Sequence, residues 1–205
     1  VTGSHIPFDR NGIKFYGLVG EITKEDEDDI SNAIVEMPKS GLSLPLPEVN
    51  HAAHQAYTNR YLDYLPPKSL SGLKLGFYQH SSVARDVLTE LLEALGAEVI
   101  PLGRTNTFVP LDTEAVAEED ILRAQAWANE YHFDAIFSTD GDADRPLIGD
   151  ENGQWMRGDM VGLLCAHYLQ AQAVATPVSC NTAIEKSNQF AKVTRTRIGS
   201  PYVIA

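Results

Sequence analysis

From Leu73 onward the apolar and polar positions of the chain switch repeatedly between two periods. Compact apolar runs at Leu73–Tyr78, Glu98–Leu102 and Asp134–Thr139 predict strands. Stretches with helical spacing at Val83–Leu95, Glu118–Tyr131 and Asp159–Leu169 predict helices between and after them. Gly96 stands where a helix C′ glycine belongs, and Ser81-Ser82 ahead of Val83 has the chemistry of an N-cap. Strands alternating with helices of about ten or more residues predict βαβ units around a mainly parallel sheet. After Gln172 the pattern starts afresh, with a strand at Pro177–Cys180, a helix at Ala183–Phe190 and a strand at Lys192–Thr196. Ser200-Pro201-Tyr202 then reads as a helix opening with Pro at N1.

The segment before Leu73 is less regular. Asn11-Gly12 marks a turn before the short apolar run Ile13–Tyr16. Thr23 is a good N-cap, and Glu25 to Asp29 suit the start of a helix whose buried stripe would be Ile30, Ala33 and Ile34. The acidic run itself reads as a solvated helix face. Residues 38–50 hold three prolines, a glycine and Asn50, which makes them the linker candidate. A helix through Tyr57, Tyr61 and Leu62 follows, stopped by Pro66-Pro67.

Composition narrows the possible functions. With 16 Lys+Arg against 28 Asp+Glu, the 205 residues carry a formal charge of −12. That excess of acid argues against a nucleic-acid backbone or an anionic membrane surface as partner. No apolar run approaches the length of about 18 residues that spans a bilayer. Cys165 and Cys180 form no CxxC and are expected to be reduced core thiols of a cytoplasmic protein. His51, His54, His80, His132 and His167 lack metal-ligand spacing and read as structural or solvated.

The strongest chemical signal is Asp140-Gly141-Asp142-Ala143-Asp144-Arg145, directly after an apolar strand. Strand C-terminal ends are where α/β folds place ligands. In an extended loop, alternate carboxylates share one side, and their mutual repulsion is relieved by a hard divalent cation. Arg145 adds a planar cation suited to phosphate. The same residues admit two other readings. Asp140, Asp142, Asp144 and Glu151 have the spacing of an EF-hand calcium loop, although Arg145 stands where that loop needs glycine. An aspartyl phosphotransferase of the haloacid-dehalogenase type would instead use Asp140 as nucleophile and Asp142 as its acid.

A second motif bears on this choice. Thr2-Gly3-Ser4-His5-Ile6-Pro7, followed by Asn11-Gly12-Ile13-Lys14, resembles the serine loop of the α-D-phosphohexomutases, T-A-S-H-N-P then N-G-x-K. That family's metal loop reads D-G-D-x-D-R, as Asp140–Arg145 does, and both motifs occur in the family's order. Gly158-Asp159 and Arg195–Gly199 also look like family segments. Gly3 and Ile6 depart from the usual Ala and Asn.

The resemblance implies three-layer αβα domains with mixed, mainly parallel sheets, truncated at both ends of this chain. Residues 1–48 would close a first domain, 49–172 form a complete second, and 173–205 begin a third. It further implies a Mg²⁺-dependent mutase that interconverts hexose 6- and 1-phosphates through a phosphoserine and a bisphosphorylated sugar. Ser4 would carry the phosphoryl group and, with Asp140, Asp142 and Asp144, ligate the metal. His5, Lys14 and Arg145 would serve catalysis and substrate binding, with Gly199 a further substrate contact. A slice lacking the rest of the cleft is expected to show little turnover alone, and to self-associate through its truncated surfaces.

Overall fold

The computed structural model describes residues 15–18, 20–36, 45, 48–199 and 202–203. At its centre is a four-stranded sheet in the order β4-β3-β5-β6, with β3 Lys74–Tyr78, β4 Glu98–Leu102, β5 Ala135–Thr139 and β6 Pro146–Gly149. β3 lies parallel to both β4 and β5, whereas β6 runs antiparallel to β5 with Thr139 opposite Pro146. Two smaller sheets flank it in sequence. β1 Tyr16–Gly17 pairs with β2 Gly20–Glu21, and β7 Ala173–Pro177 pairs in parallel with β8 Lys192–Thr196.

The alternation of β3 divides its side chains between two faces. On one face Ile136, Leu102 and Phe133 pack with Ala124 and Ala128 of α4 Glu118–Tyr131. Small alanines let the helix approach the sheet closely. On the other face Phe77 and Phe137 stack with ring centroids 4.2 Å apart. α3 Arg85–Ala94 lies along β4 and ends in a Schellman motif. Ala97 N–H reaches the Leu92 carbonyl, Gly96 N–H reaches that of Glu93, and Gly96 sits at φ 98, as its position predicted.

Several elements differ from expectation, each for a local reason. α1 Lys24–Asn32 is set by a capping box between Thr23 and Asp26, yet no residue of it is buried. Ile30 and Ile34 are exposed, so the expected buried stripe has no cover among the described residues. α2 Ala52–Tyr64 ends before Pro66-Pro67 as anticipated and packs on α3. The strand expected at Pro177–Cys180 is instead β7, which ends at Pro177; Cys180 N–H turns back to the Pro177 carbonyl. α6 covers only Ala183–Lys186, because Asn188 adopts a left-handed φ of 53. α5 Gly158–Tyr168 buries Val161 but leaves Cys165 exposed, and Cys180 is half-buried, so neither is a core thiol. Ser82 does not cap α3, whose N-cap is Ala84 without a side-chain bond. It accepts the Ala84 N–H one residue earlier, in the turn. No described helix is long and apolar enough to cross a membrane.

Candidate metal centre

Strand β5 delivers Asp140 to the end of the sheet, and residues 140–145 turn the chain back into β6. The loop therefore closes an antiparallel hairpin. Its carboxylates do converge: one oxygen each from Asp140, Asp142 and Asp144 lies within 4.8 Å of the others. The cause is not the pleat of an extended loop. Ala143 N–H bonds back to the Asp140 carbonyl at 3.3 Å, and Ala143 takes a left-handed φ of 64. A tight turn brings the three acids together.

Burial grades across the set. Asp140 is fully buried, Asp142 half-buried and Asp144 exposed. Asp140 Oδ1 accepts the Arg145 N–H at 3.3 Å, while Asp140 Oδ2 and Asp142 Oδ1 are buried without a hydrogen-bond partner. Burial, and after it the Asp142 and Asp144 charges, push the Asp140 carboxyl above its ordinary range. Buried acceptors without donors are costly, and a hard cation supplies what they lack. The donor set, all carboxylate oxygen, fits Mg²⁺ or Ca²⁺ better than a softer metal. Arg145 reaches outward, with Nη1 3.0 Å from Glu114 Oε1 and Nε 3.9 Å from Asp144 Oδ1.

The EF-hand reading does not survive this geometry. Strands flank the loop, and Glu151 lies beyond β6, outside the converging group. Beside the loop, a cleft of about 490 Å³ is lined by Asp142, Ala143, Val83, Asp86, His54 and Tyr57. His54 and Glu90 bridge its flank at 2.8 Å. Gly199, expected near substrate, follows β8 in the separate two-stranded sheet at φ 129. Ser4, His5 and Lys14 lie outside the described residues.

His80, expected to be structural or solvated, and Ser82, expected to cap a helix, both support the loop from beneath. His80 and Ser82 are fully buried, and both reach Thr139, the last residue of β5. Only a polar cluster after β3 could have hinted at this. A second cluster sits after β7, where Arg195 grips Glu185 through two nitrogens and also holds the carbonyls of Pro177, Cys180 and Asn181. Asp159, at the start of α5, accepts the Asn181 N–H at 2.8 Å, which joins α5 to that turn.

Comparison with known proteins places this geometry in context. Residues 55–153 match the family described as phosphoglucomutase/phosphomannomutase, alpha/beta/alpha domain II. A phosphomannomutase of Salmonella muenchen is 53% identical over 207 residues, covering 100% of this chain and 42% of that protein. One from Sinorhizobium fredii is 50% identical over 211 residues, covering 100% of this chain and 44% of its own length. A phosphoglucosamine mutase of Deinococcus deserti is 33% identical over 212 residues, with coverage of 99% and 47%. The chain thus spans less than half the length of these relatives. The crystal structure of a phosphoglucomutase/phosphomannomutase family protein from Burkholderia thailandensis shares the fold, with a TM-score of 0.63 at 20% identity over 74% of this chain and 34% of that one.

Proposed function

The chain belongs to the phosphoglucomutase/phosphomannomutase family, and we propose that the full-length protein is a Mg²⁺-dependent phosphohexomutase acting on mannose phosphates. The convergence of Asp140, Asp142 and Asp144, with two buried oxygens lacking any donor, is the observation that carries this reading. The choice of mannose rests on the relatives: those of 53% and 50% identity are named phosphomannomutases, and the phosphoglucosamine mutases compared are 28–33% identical. In this reading residues 1–48, 49–172 and 173–205 belong to three successive domains of a cytoplasmic enzyme.

The residues divide the work as follows. Phosphorylated Ser4 donates its phosphoryl group: the Ser4 Oγ–P bond breaks as a sugar hydroxyl oxygen bonds to phosphorus. The hydroxyl proton passes to a base, for which His5 and Lys14 are the candidates. The resulting bisphosphorylated sugar turns over in the cleft, and its other phosphate returns to Ser4. Asp140, Asp142 and Asp144 would hold Mg²⁺, which when bound would draw charge from the phosphoryl oxygens. Arg145 offers its guanidinium to phosphate. Gly199, after β8, is a further candidate substrate contact.

Phosphorus NMR of mannose 1-phosphate with the full-length protein and Mg²⁺ tests the proposal. Appearance of mannose 6-phosphate, lost in Ser4→Ala, is expected; absence of conversion by the wild type contradicts it.

A further inference from the structure

Three successive carbonyls, from the end of β5 into the acidic loop, are each held by a donor that the turn after β3 supplies or orients. His80 Nε2 lies 2.8 Å from the Thr139 carbonyl oxygen. Because a carbonyl only accepts, Nε2 carries the proton. The Thr139 hydroxyl donates to the Asp140 carbonyl at 2.8 Å, and Val83 N–H donates to the Gly141 carbonyl at 3.1 Å. Thr139 has one hydroxyl proton and spends it on Asp140. In the 2.7 Å contact between the two hydroxyls, Ser82 must therefore be the donor. Ser82 Oγ in turn accepts from Ala84 N–H at 3.1 Å, which fixes the direction of the whole chain of bonds.

The turn is itself over-determined. His80 sits at φ 30, a backbone conformation that L residues rarely adopt, and its carbonyl accepts the Thr105 N–H at 3.0 Å. His80, Ser82 and Thr139 are 0%, 1% and 5% exposed. Water therefore has little access to replace any of these bonds. Nothing here touches a reacting atom; the bonds set where the backbone of the acidic loop lies, and with it the spacing of the carboxylates.

We infer that Ser82 and Thr139 are positioning residues that hold the Asp140–Asp144 loop at a spacing selective for Mg²⁺ over Ca²⁺. The inference rests on the metal-dependent reading proposed above. Mg²⁺ demands near-octahedral geometry at short distance, whereas Ca²⁺ accepts longer and more variable contacts. A loop pinned at three consecutive carbonyls favours the smaller ion. Loosening the pins lets the carboxylates spread, which harms Mg²⁺ binding and is tolerated by Ca²⁺.

The test is calorimetric titration of the full-length protein with Mg²⁺ alone and with Ca²⁺ alone. Ser82→Ala removes the donor, Thr139→Val removes the hydroxyl at nearly constant shape, and Thr139→Ser restores it. Ser82→Ala and Thr139→Val are expected to lose about tenfold in Mg²⁺ affinity while Ca²⁺ affinity changes by less than about threefold. Thr139→Ser is expected to keep the wild-type selectivity. Equal losses for both ions, or no change for either, overturn the inference while leaving the metal site intact. If one variant fails to fold by circular dichroism, the other decides on the same criterion. Wild-type protein that binds no Mg²⁺ overturns the metal-dependent reading and this inference with it.

Discussion

Asp140 and Arg145 are joined twice across the mouth of the β5–β6 hairpin. The Asp140 N–H donates to the Arg145 carbonyl at 3.2 Å, and the Arg145 N–H donates to Asp140 Oδ1 at 3.3 Å. The second bond turns one oxygen of the carboxylate toward the backbone and leaves Oδ2 buried with no partner. The same pair thus closes the hairpin and aims one oxygen at the carboxylates of Asp142 and Asp144.

Replacing that carboxylate by its neutral isostere separates stability from metal binding. Asn at position 140 keeps an acceptor for Arg145 N–H and turns an NH₂ toward the neighbouring carboxylates. Without metal at neutral pH, Asp140→Asn is expected to melt higher than wild type, by about 2–4 °C for each kcal/mol of relieved repulsion and desolvation. Mg²⁺ should raise the wild-type Tm and leave that of the variant unchanged. Differential scanning calorimetry with and without Mg²⁺ reads both effects.

The pH dependence follows from the direction of the Asp140 shift. Its folded pKa is raised by burial and by Asp142 and Asp144, so the folded state holds the proton more tightly than the unfolded state. That contribution to stability is complete below the ordinary Asp pKa and is lost as pH rises through the raised value. His80 acts in the opposite sense: burial lowers its pKa, so stability is lost as pH falls below the ordinary His value. The Tm difference between Asp140→Asn and wild type isolates the first effect and should grow with rising pH. Mg²⁺ affinity should weaken as pH falls toward the raised Asp140 pKa, with protons released on binding.

The Arg195 cluster gives a prediction about β7 and β8. Its guanidinium makes five hydrogen bonds, to Glu185 and to the carbonyls of Pro177, Cys180 and Asn181. An ammonium cannot reproduce that fork. Arg195→Lys is expected to behave much like Arg195→Ala, speeding amide exchange in β7, β8 and the turn at 178–181 by about tenfold. β3 and β5 should keep their protection. Exchange mass spectrometry on the two variants compares the sheets directly.

How far the sequence foretold all this depends on the range of the interactions involved. α4 is found over the residues its helical spacing gave, and Gly96 is where its φ requires, because these are local matters. β6 went unforeseen: it has four residues, opens with Pro146, and is set by pairing with β5. The motif foretold that the Asp140, Asp142 and Asp144 carboxylates share one side, yet the means of convergence was not legible. A left-handed Ala143 produces it, and nothing in the residue type announces that conformation. The support from His80 and Ser82 bridges 59 and 57 positions, a separation at which sequence pattern carries no signal. The exposed Ile30 and Ile34 show the converse case, where helical spacing was read as burial that no described neighbour provides.

The central claim is that Ser4 carries the phosphoryl group while Asp140 serves the metal. Intact-mass spectrometry of the full-length protein incubated with a hexose bisphosphate and Mg²⁺ tests it most directly, with Ser4→Ala alongside. One phosphate on the wild type and none on Ser4→Ala is the predicted result. Phosphate that persists on Ser4→Ala would contradict the account and assign the nucleophile to an aspartate of the Asp140 loop.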